Sequence, residues 1–64
     1  MKNRIRELRK QHNFRQEDLA TRLGVTRQTI NAIENEKYNP TLELAMKLAV
    51  LLRTTVEELF TLER

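Results

Sequence analysis

Two adjacent residues, Arg27 and Gln28, have side chains suited to contacting the edges of nucleic-acid bases. The arginine guanidinium is a planar, two-pronged donor that fits the O6 and N7 acceptors of guanine, and the glutamine amide matches N6 and N7 of adenine. Both residues come directly after Thr26, a residue type that starts helices by accepting a backbone hydrogen bond. The pair is therefore predicted to lie at the exposed start of a helix.

The residues around this pair predict two short helices joined by a tight turn. Gly24, the only glycine in the chain, separates the two segments and suits the left-handed conformation that ends a helix. Two short helices joined by a three-residue turn with glycine form a helix-turn-helix, here at residues 16–35. Apolar residues recur at helical spacing on both sides of the turn: Leu19, Ala20, Leu23, Ile30 and Ile33.

This segment resembles the lambda-repressor/Cro-like (XRE) family of DNA-binding proteins. The likeness continues through RLGVTRQTINAIENEKYNPTLELAMKLA and so extends over nearly the whole chain. It implies an all-α fold, a compact five-helix lambda-repressor-like domain, with residues 1–64 as a single domain. The residues that carry the resemblance are Gln16, Ala20, Gly24, Val25, Ile30, Ile33, Glu34 and Asn35.

The resemblance also implies which residues contact DNA. The second helix of the motif, residues 27–34, would enter the major groove, and Gln16 would contact phosphate and brace Gln28. Tyr38 fits two interpretations equally, a phosphate contact or a lid on the core, whereas Glu34 is expected to be structural. The predicted base contacts are Arg27, Gln28, Asn31 and Ala32. The predicted phosphate contacts are Arg15, Gln16, Thr26, Thr29, Asn35, Lys37, Tyr38 and Asn39.

The elements before the motif are predicted from spacing and charge. Residues 2–12 read as a first helix with Ile5 and Leu8 on its inner face and Arg and Lys, Arg9 among them, covering the rest. Arg15 occupies the N-cap of the next helix, although its side chain cannot accept a hydrogen bond from the exposed amides. The uncapped amides either lower the stability of the protein slightly or bind a DNA phosphate. His12 is assigned to solvent, without a chemical role.

The elements after the motif are a fourth helix at residues 42–52, apolar almost all round, and a fifth opened by Thr55 and Glu58 as a capping box. Arg53 stands where the family usually has Gly or Asn for a left-handed exit, so the path there is open. The last helix of this family commonly pairs in a symmetric dimer, although Phe60 also suits the core. The predicted dimer interface is Val50, Leu51, Val56, Phe60 and Leu62.

Composition and charge bound the function. The 64 residues carry a net charge of +3, and residues 1–28 alone hold eight Lys or Arg against three Asp or Glu. A basic half on a small helical domain is typical of a phosphate-binding face. The sequence has no cysteine, no glycine-rich phosphate loop and no apolar run near the roughly 20 residues of a membrane span. We therefore expect that the protein is not an enzyme and that it binds no cofactor, metal, membrane or small molecule. We also expect it to be located in the cytoplasm.

The function predicted from sequence is a sequence-specific regulator of transcription, a repressor that binds a palindromic double-stranded DNA operator as a homodimer. The alternative is a protein-interaction module, such as the DNA-binding antitoxin of a toxin–antitoxin pair. In that case the apolar surface of the last two helices would bind a different protein.

Overall fold

The computed structural model describes residues 1–62 and contains five helices and a two-stranded antiparallel sheet. This confirms the predicted five-helix, lambda-repressor-like fold and adds the sheet to it. The elements in chain order are β1 (Lys2–Asn3), α1 (Ile5–Gln11), α2 (Gln16–Leu23), α3 (Arg27–Glu34), α4 (Leu42–Leu51), α5 (Val56–Leu59) and β2 (Phe60–Thr61).

The first predicted helix, residues 2–12, is too long. Lys2 and Asn3 instead form β1, whose Cα partners in β2 are Thr61 and Phe60. The Asn3 side chain then accepts a hydrogen bond from the Ile5 amide at 3.2 Å, which satisfies one of the free donors at the start of α1. The prediction failed here because the pairing joins opposite ends of the sequence, and helix propensity is a local property.

The helix-turn-helix has the predicted bounds and turn. Gly24 adopts φ 70° and ψ 29°, the left-handed conformation, and the Val25 amide donates to the Ala20 carbonyl at 3.0 Å. Thr26 then caps α3, its hydroxyl accepting from the Thr29 amide at 3.2 Å. Gly24 therefore ends α2 and Thr26 begins α3, so these two residues fix the turn between the helices.

The later helices begin at threonine caps. The Thr41 hydroxyl accepts from the Leu44 amide at 3.2 Å, and that of Thr55 accepts from the Glu58 amide at 3.1 Å. The Glu58 carboxylate bonds the Thr55 hydroxyl, whereas a full capping box would place it on the backbone amide. Arg53 has φ 56°, so the left-handed exit from α4 is kept although the residue is not glycine.

The core lies between α1, α2, α3 and α4 and is closed by α5 and β2. On α4 it takes Ala45, Leu48 and Ala49, which leaves other apolar side chains of that helix outside. Within residues 1–62, no helix has the length and apolar character needed to cross a membrane. The buried apolar residues are Ile5, Leu8, Leu19, Ala20, Ile30, Ile33, Ala45, Leu48, Ala49, Leu52, Leu59 and Phe60.

Candidate nucleic-acid interface

Helix α3 presents a polar face to solvent. Ile30 and Ile33 are almost fully buried and hold the helix on the body of the protein. Arg27, Gln28 and Asn31 are exposed on the opposite side, where they share one shallow depression with Gln16 of α2. Residues three and four apart lie on the same face of a helix, so these side chains point in one direction.

The carboxylate of Glu34 ties α3 to α1. Arg9 donates twice to it, from Nε at 2.8 Å and from a terminal nitrogen at 3.2 Å, and Arg6 donates from Nε at 3.2 Å. Arg9 and Glu34 are both buried, and Arg9 also donates to the Phe14 carbonyl at 3.0 Å. Glu34 is therefore structural, as predicted. The prediction for Arg9 was wrong, because its side chain lies inside the fold.

The ionisation of Glu34 reflects this setting. Burial raises the pKa of the carboxyl, but the hydrogen bonds from Arg9, Gln16 and Arg6 and the charge of Arg9 outweigh burial, so the pKa lies below its ordinary value. The carboxylate is thus charged at neutral pH. A buried charge of this kind is tolerated because two arginines and an amide satisfy its oxygens.

A chain of side-chain amides runs from this carboxylate across the outer face of α3. The Gln16 amide nitrogen lies 3.2 Å from the Glu34 carboxylate and 3.2 Å from the Asn31 oxygen. Asn35 donates to the same Asn31 oxygen at 3.2 Å and accepts from Arg6 at 3.0 Å. Gln16 therefore braces Asn31 and Glu34, and the expectation that it braces Gln28 was wrong.

The start of α2 lies beside this face. Arg15 is the N-cap and makes no side-chain cap bond, as expected. Its side chain is 76% exposed, and a terminal guanidinium nitrogen lies 3.1 Å from the Glu17 carboxylate. The Arg15 amide donates to the Asp18 carboxylate at 2.7 Å, and this bond is the main reason why the pKa of Asp18 is lowered. The cation of Arg15 thus stays open to solvent at the positive end of the helix, where an anion is favoured.

The loop between α3 and α4 continues the exposed surface. Asn35, Lys37, Tyr38 and Asn39 are all exposed, and Glu36 between them takes φ 62°, which turns the chain away from the end of α3. Tyr38 is 49% exposed and lines a depression with residues of α2, α3 and α4. Its ring is therefore partly covered, and both interpretations of its role stay open.

The remaining predicted site residues divide by burial. Thr26 is exposed and Thr29 half-buried, and their hydroxyls lie 3.1 Å apart. Ala32 is half-buried on α3. The predicted dimer residues Val50 and Leu62 are exposed, while Leu51 and Val56 are half-buried. Phe60 is only 7% exposed, because β2 turns it into the core, so its place in the predicted interface was wrong.

Sequence reasoning missed two supporting residues. Arg6 and Arg9 hold Glu34, and the available signal was that Arg9 stands four residues after Ile5 and next to Leu8, on the inner face of α1. His12 is half-buried, with Nε2 3.1 Å from the Leu52 carbonyl, and so joins the ends of α1 and α4. The expectation of a solvent-facing histidine was wrong, and no local pattern announced that partner.

Comparison with known proteins decides the family. A family model described as helix-turn-helix matches residues 5–59. The chain belongs to the helix-turn-helix family. This confirms the lambda-repressor/Cro-like resemblance.

The relatives agree with this assignment over almost the full chain. A protein of Methanocaldococcus jannaschii, named an uncharacterized HTH-type transcriptional regulator, is 51% identical over 63 residues, which are 98% of this chain and 96% of that one. A helix-turn-helix relative of the same description from Archaeoglobus fulgidus is 47% identical over 60 residues, 94% and 84% of the two chains. Another from Bacillus subtilis is 44% identical over 63 residues, 98% and 96%.

Proposed function

We propose that this protein is a sequence-specific regulator of transcription that binds double-stranded DNA with α3 in the major groove. Membership of the helix-turn-helix family makes it a DNA-binding regulator, and the named relatives carry the same description. The observation that supports the finer proposal is the exposure of Arg27 and Gln28 at the start of a helix whose other end is bonded to α1 through Glu34. Helix-turn-helix proteins place this part of the helix against base edges.

The proposed contacts fall into two classes. Arg27, Gln28, Asn31 and Ala32 would read bases, because they lie along the outer side of α3. A second set, around the edges of the same surface, would bind phosphate and set the position of the helix without reading sequence. This second set is Arg15, Gln16, Thr26, Thr29, Asn35, Lys37, Tyr38 and Asn39.

We propose that the protein acts as a homodimer on a palindromic operator. Helix α3 has eight residues and is about 12 Å long, enough for one major groove. Two copies related by a two-fold axis would place their recognition helices in successive grooves roughly 34 Å apart. We propose repression as the outcome, since occupying an operator excludes other proteins and requires no further contact. Such a protein would work in the cytoplasm.

Two substitutions test the assignment of contacts. Arg27→Ala should lower affinity for the selected operator by about 10-fold, within the roughly 1–3 kcal/mol of a bidentate base contact, and flatten the preference at one base position. Arg15→Ala should weaken binding to all sequences alike and reduce the dependence of log K on log salt by about one. Fluorescence anisotropy with operator and scrambled duplexes at several salt concentrations measures both. Equal behaviour of Arg27→Ala and the wild type on both duplexes would contradict the proposal.

A second candidate, an interaction module such as an antitoxin, is favoured by one observation. Leu42, Met46 and Val50 are all exposed at intervals of four residues on α4, so they form an apolar stripe along it. A homodimer would cover part of this stripe with a second copy, and an antitoxin would cover it with another protein. Light scattering of the purified protein, alone and with operator DNA, separates the two, because a protein that is monomeric in both samples would favour the antitoxin.

A further inference from the structure

We propose that Asn31 is a specificity residue that presents only donor groups to DNA and therefore prefers guanine over adenine. The structural basis is the amide chain behind it, which turns the Asn31 oxygen toward the protein and its nitrogen toward the groove. This inference rests on the proposed function, since it concerns what the exposed face of α3 reads.

The orientation of the chain is fixed at one end by Glu34. A carboxylate can only accept hydrogen bonds, so the Gln16 group that lies 3.2 Å from it must be the amide nitrogen. The same nitrogen lies 3.2 Å from Asn31. Its partner there must be an acceptor, which is the Asn31 oxygen.

The other end is fixed independently by Arg6. A guanidinium can only donate, so the Asn35 atom 3.0 Å from it must be the amide oxygen. The Asn35 nitrogen then faces Asn31 at 3.2 Å and again requires the oxygen of Asn31 as its acceptor. Two charged residues with unambiguous roles thus dictate the same orientation of Asn31 from opposite sides.

The consequence is that the Asn31 oxygen is already used. It accepts from Gln16 and from Asn35, which accounts for both of its lone pairs. Rotating the amide would set its nitrogen against two other amide nitrogens and lose both bonds, so the present orientation is strongly preferred. What Asn31 can offer to DNA is its NH₂ group alone.

A donor without an acceptor distinguishes the four bases. The two-pronged contact of asparagine with adenine needs both an acceptor for N6 and a donor for N7, and the first is missing here, so adenine keeps only a single hydrogen bond at N7 beside an N6 donor that gains no partner. Guanine presents O6 and N7, both acceptors, and thymine presents O4. Cytosine presents an N4 donor, which would face the Asn31 donor. Guanine offers two acceptors to the NH₂ group, thymine and adenine one each, and cytosine none, so guanine is expected first and cytosine last.

Asn31 is placed to make such a contact. It follows Arg27 by four residues and Gln28 by three, so it lies on the same face one turn further along α3. All three line the same open depression, and Asn31 is exposed. The hydrogen bonds from Gln16 and Asn35 fix the orientation of its amide, and this orientation determines which bases Asn31 prefers.

The test begins with selection of random duplexes by the wild-type protein and by Asn31→Ala. The base position at which the variant loses its preference is the one that Asn31 reads. We expect guanine there in the wild-type selection. Replacing that guanine by 7-deazaguanine removes the N7 acceptor and should lower wild-type affinity about 5- to 10-fold, while leaving Asn31→Ala almost unaffected. Gln28→Ala, as matched control, should lose its preference at a different position.

The amide chain is tested by releasing Asn31. The double variant Gln16→Leu with Asn35→Ala removes both donors to the Asn31 oxygen, and the guanine-to-adenine ratio at the Asn31 position should fall about 10-fold because the freed oxygen completes the two-pronged contact with adenine. Because Gln16 and Asn35 are also proposed phosphate contacts, the variant should bind all duplexes more weakly. A uniform loss of affinity does not change the ratio of guanine to adenine at one position. Thermal unfolding establishes that the variant is folded; should it unfold, Asn35→Ala alone is compared, with a smaller shift in the same direction.

The outcomes separate the two levels of the proposal. An enriched operator with adenine or cytosine at the Asn31 position, or with no position that depends on Asn31, overturns this inference while leaving the proposed function intact. A guanine-to-adenine ratio unchanged in the folded released variant overturns it as well. If no duplex is enriched and Arg27→Ala binds like the wild type, the proposed function fails and this inference fails with it.

Discussion

At the scale of single residues, Glu34 connects stability to the surface that we propose faces DNA. Its carboxylate holds Arg6 and Arg9 of α1 and Gln16 of α2, although it stands at the last position of α3. The same group thus joins three helices and positions the amides that we propose to lie against DNA. A substitution here is expected to change folding and specificity together.

The ion pair of Glu34 predicts a dependence of stability on pH. The pKa in the folded protein lies below the ordinary 4.5, so the unfolded chain binds more protons between the two values. The stabilisation is fully present above about pH 4.5 and is lost as the pH falls through the lower, folded pKa. Glu34→Gln should therefore destabilise the protein by about 3 kcal/mol at pH 7 and converge with the wild type in acid.

Urea unfolding of both proteins between about pH 3 and pH 7 measures this effect. The matched control is Glu43→Gln, which removes an exposed carboxylate whose pKa is also lowered, here by the hydrogen bond from Lys47. The control should shift the urea midpoint far less, since exposed pairs contribute little. A constant difference between Glu34→Gln and the wild type across the whole pH range would contradict the assignment.

The residues that sequence could and could not predict differ in where their partners lie. Gly24 takes the expected left-handed conformation, and the hydroxyls of Thr26, Thr41 and Thr55 accept from amides three positions further along the chain. Arg9 bonds a residue 25 positions away, and its type alone favours solvent. Its burial follows from the meeting of α1 with the end of α3, which no local pattern contains.

At the scale of elements, Asn3 fastens β1 to two helices. Its side-chain nitrogen donates to the Ile33 carbonyl near the end of α3 at 2.9 Å, while its oxygen accepts from the Ile5 amide at the start of α1. One side chain thus satisfies a free amide at the start of α1 and adds a second hydrogen bond to a carbonyl of α3 that already accepts from the Glu36 amide at 3.0 Å. The sheet is therefore part of the packing of the bundle as well as a link between its ends.

Asn3→Ala should lower the free energy of unfolding by about 1–2 kcal/mol, because both bonds are lost in a partly buried place. Asn39→Ala, at an exposed loop position, is the control and should change it by less than about 0.5 kcal/mol. Urea unfolding at neutral pH compares the two variants. Equal midpoints would show that the side chain of Asn3 does not connect these elements.

Element boundaries were predicted well inside the motif and less well at its margins. The limits of α3 agree at both ends, because Thr26 starts it and the left-handed turn at Glu36 follows its close. Helix α5 has only four residues before the chain becomes β2, so Phe60 and Leu62 lie beyond the last helix, on which the sequence predicts the dimer face. The extended form of Phe60 and Thr61 depends on Lys2 and Asn3, so it is decided by tertiary pairing.

At the scale of the whole molecule, the proposed homodimer is the feature to test. Val50 is 79% exposed although it is aliphatic, and it stands next to the half-buried Leu51 on α4. A domain of this size has a small core and little stability in reserve, so a second copy that covers such side chains would also stabilise the fold. Stability should then increase with protein concentration.

Val50→Glu should shift the protein from dimer to monomer and weaken operator binding at least about 10-fold, because a charge at a dimer contact loses its water without gaining a partner. Gln11→Glu, the same addition of one negative charge at an exposed position of α1, should leave the dimer intact. Sedimentation velocity at several concentrations measures both. A Val50→Glu protein that sediments as the wild type does would remove Val50 from the interface.

The short sheet brings the first and last described strands side by side, with Lys2 opposite Thr61. Paired strands are separated by only about 5 Å, so a bridge of a few glycines could join one strand to the other without disturbing the bundle. New N- and C-termini could then be introduced in the exposed loop at residues 36–39, which gives a circularly permuted protein. A protein fused at this loop would lie beside the surface that we propose binds DNA, whereas one fused next to β1 or β2 would lie at the sheet.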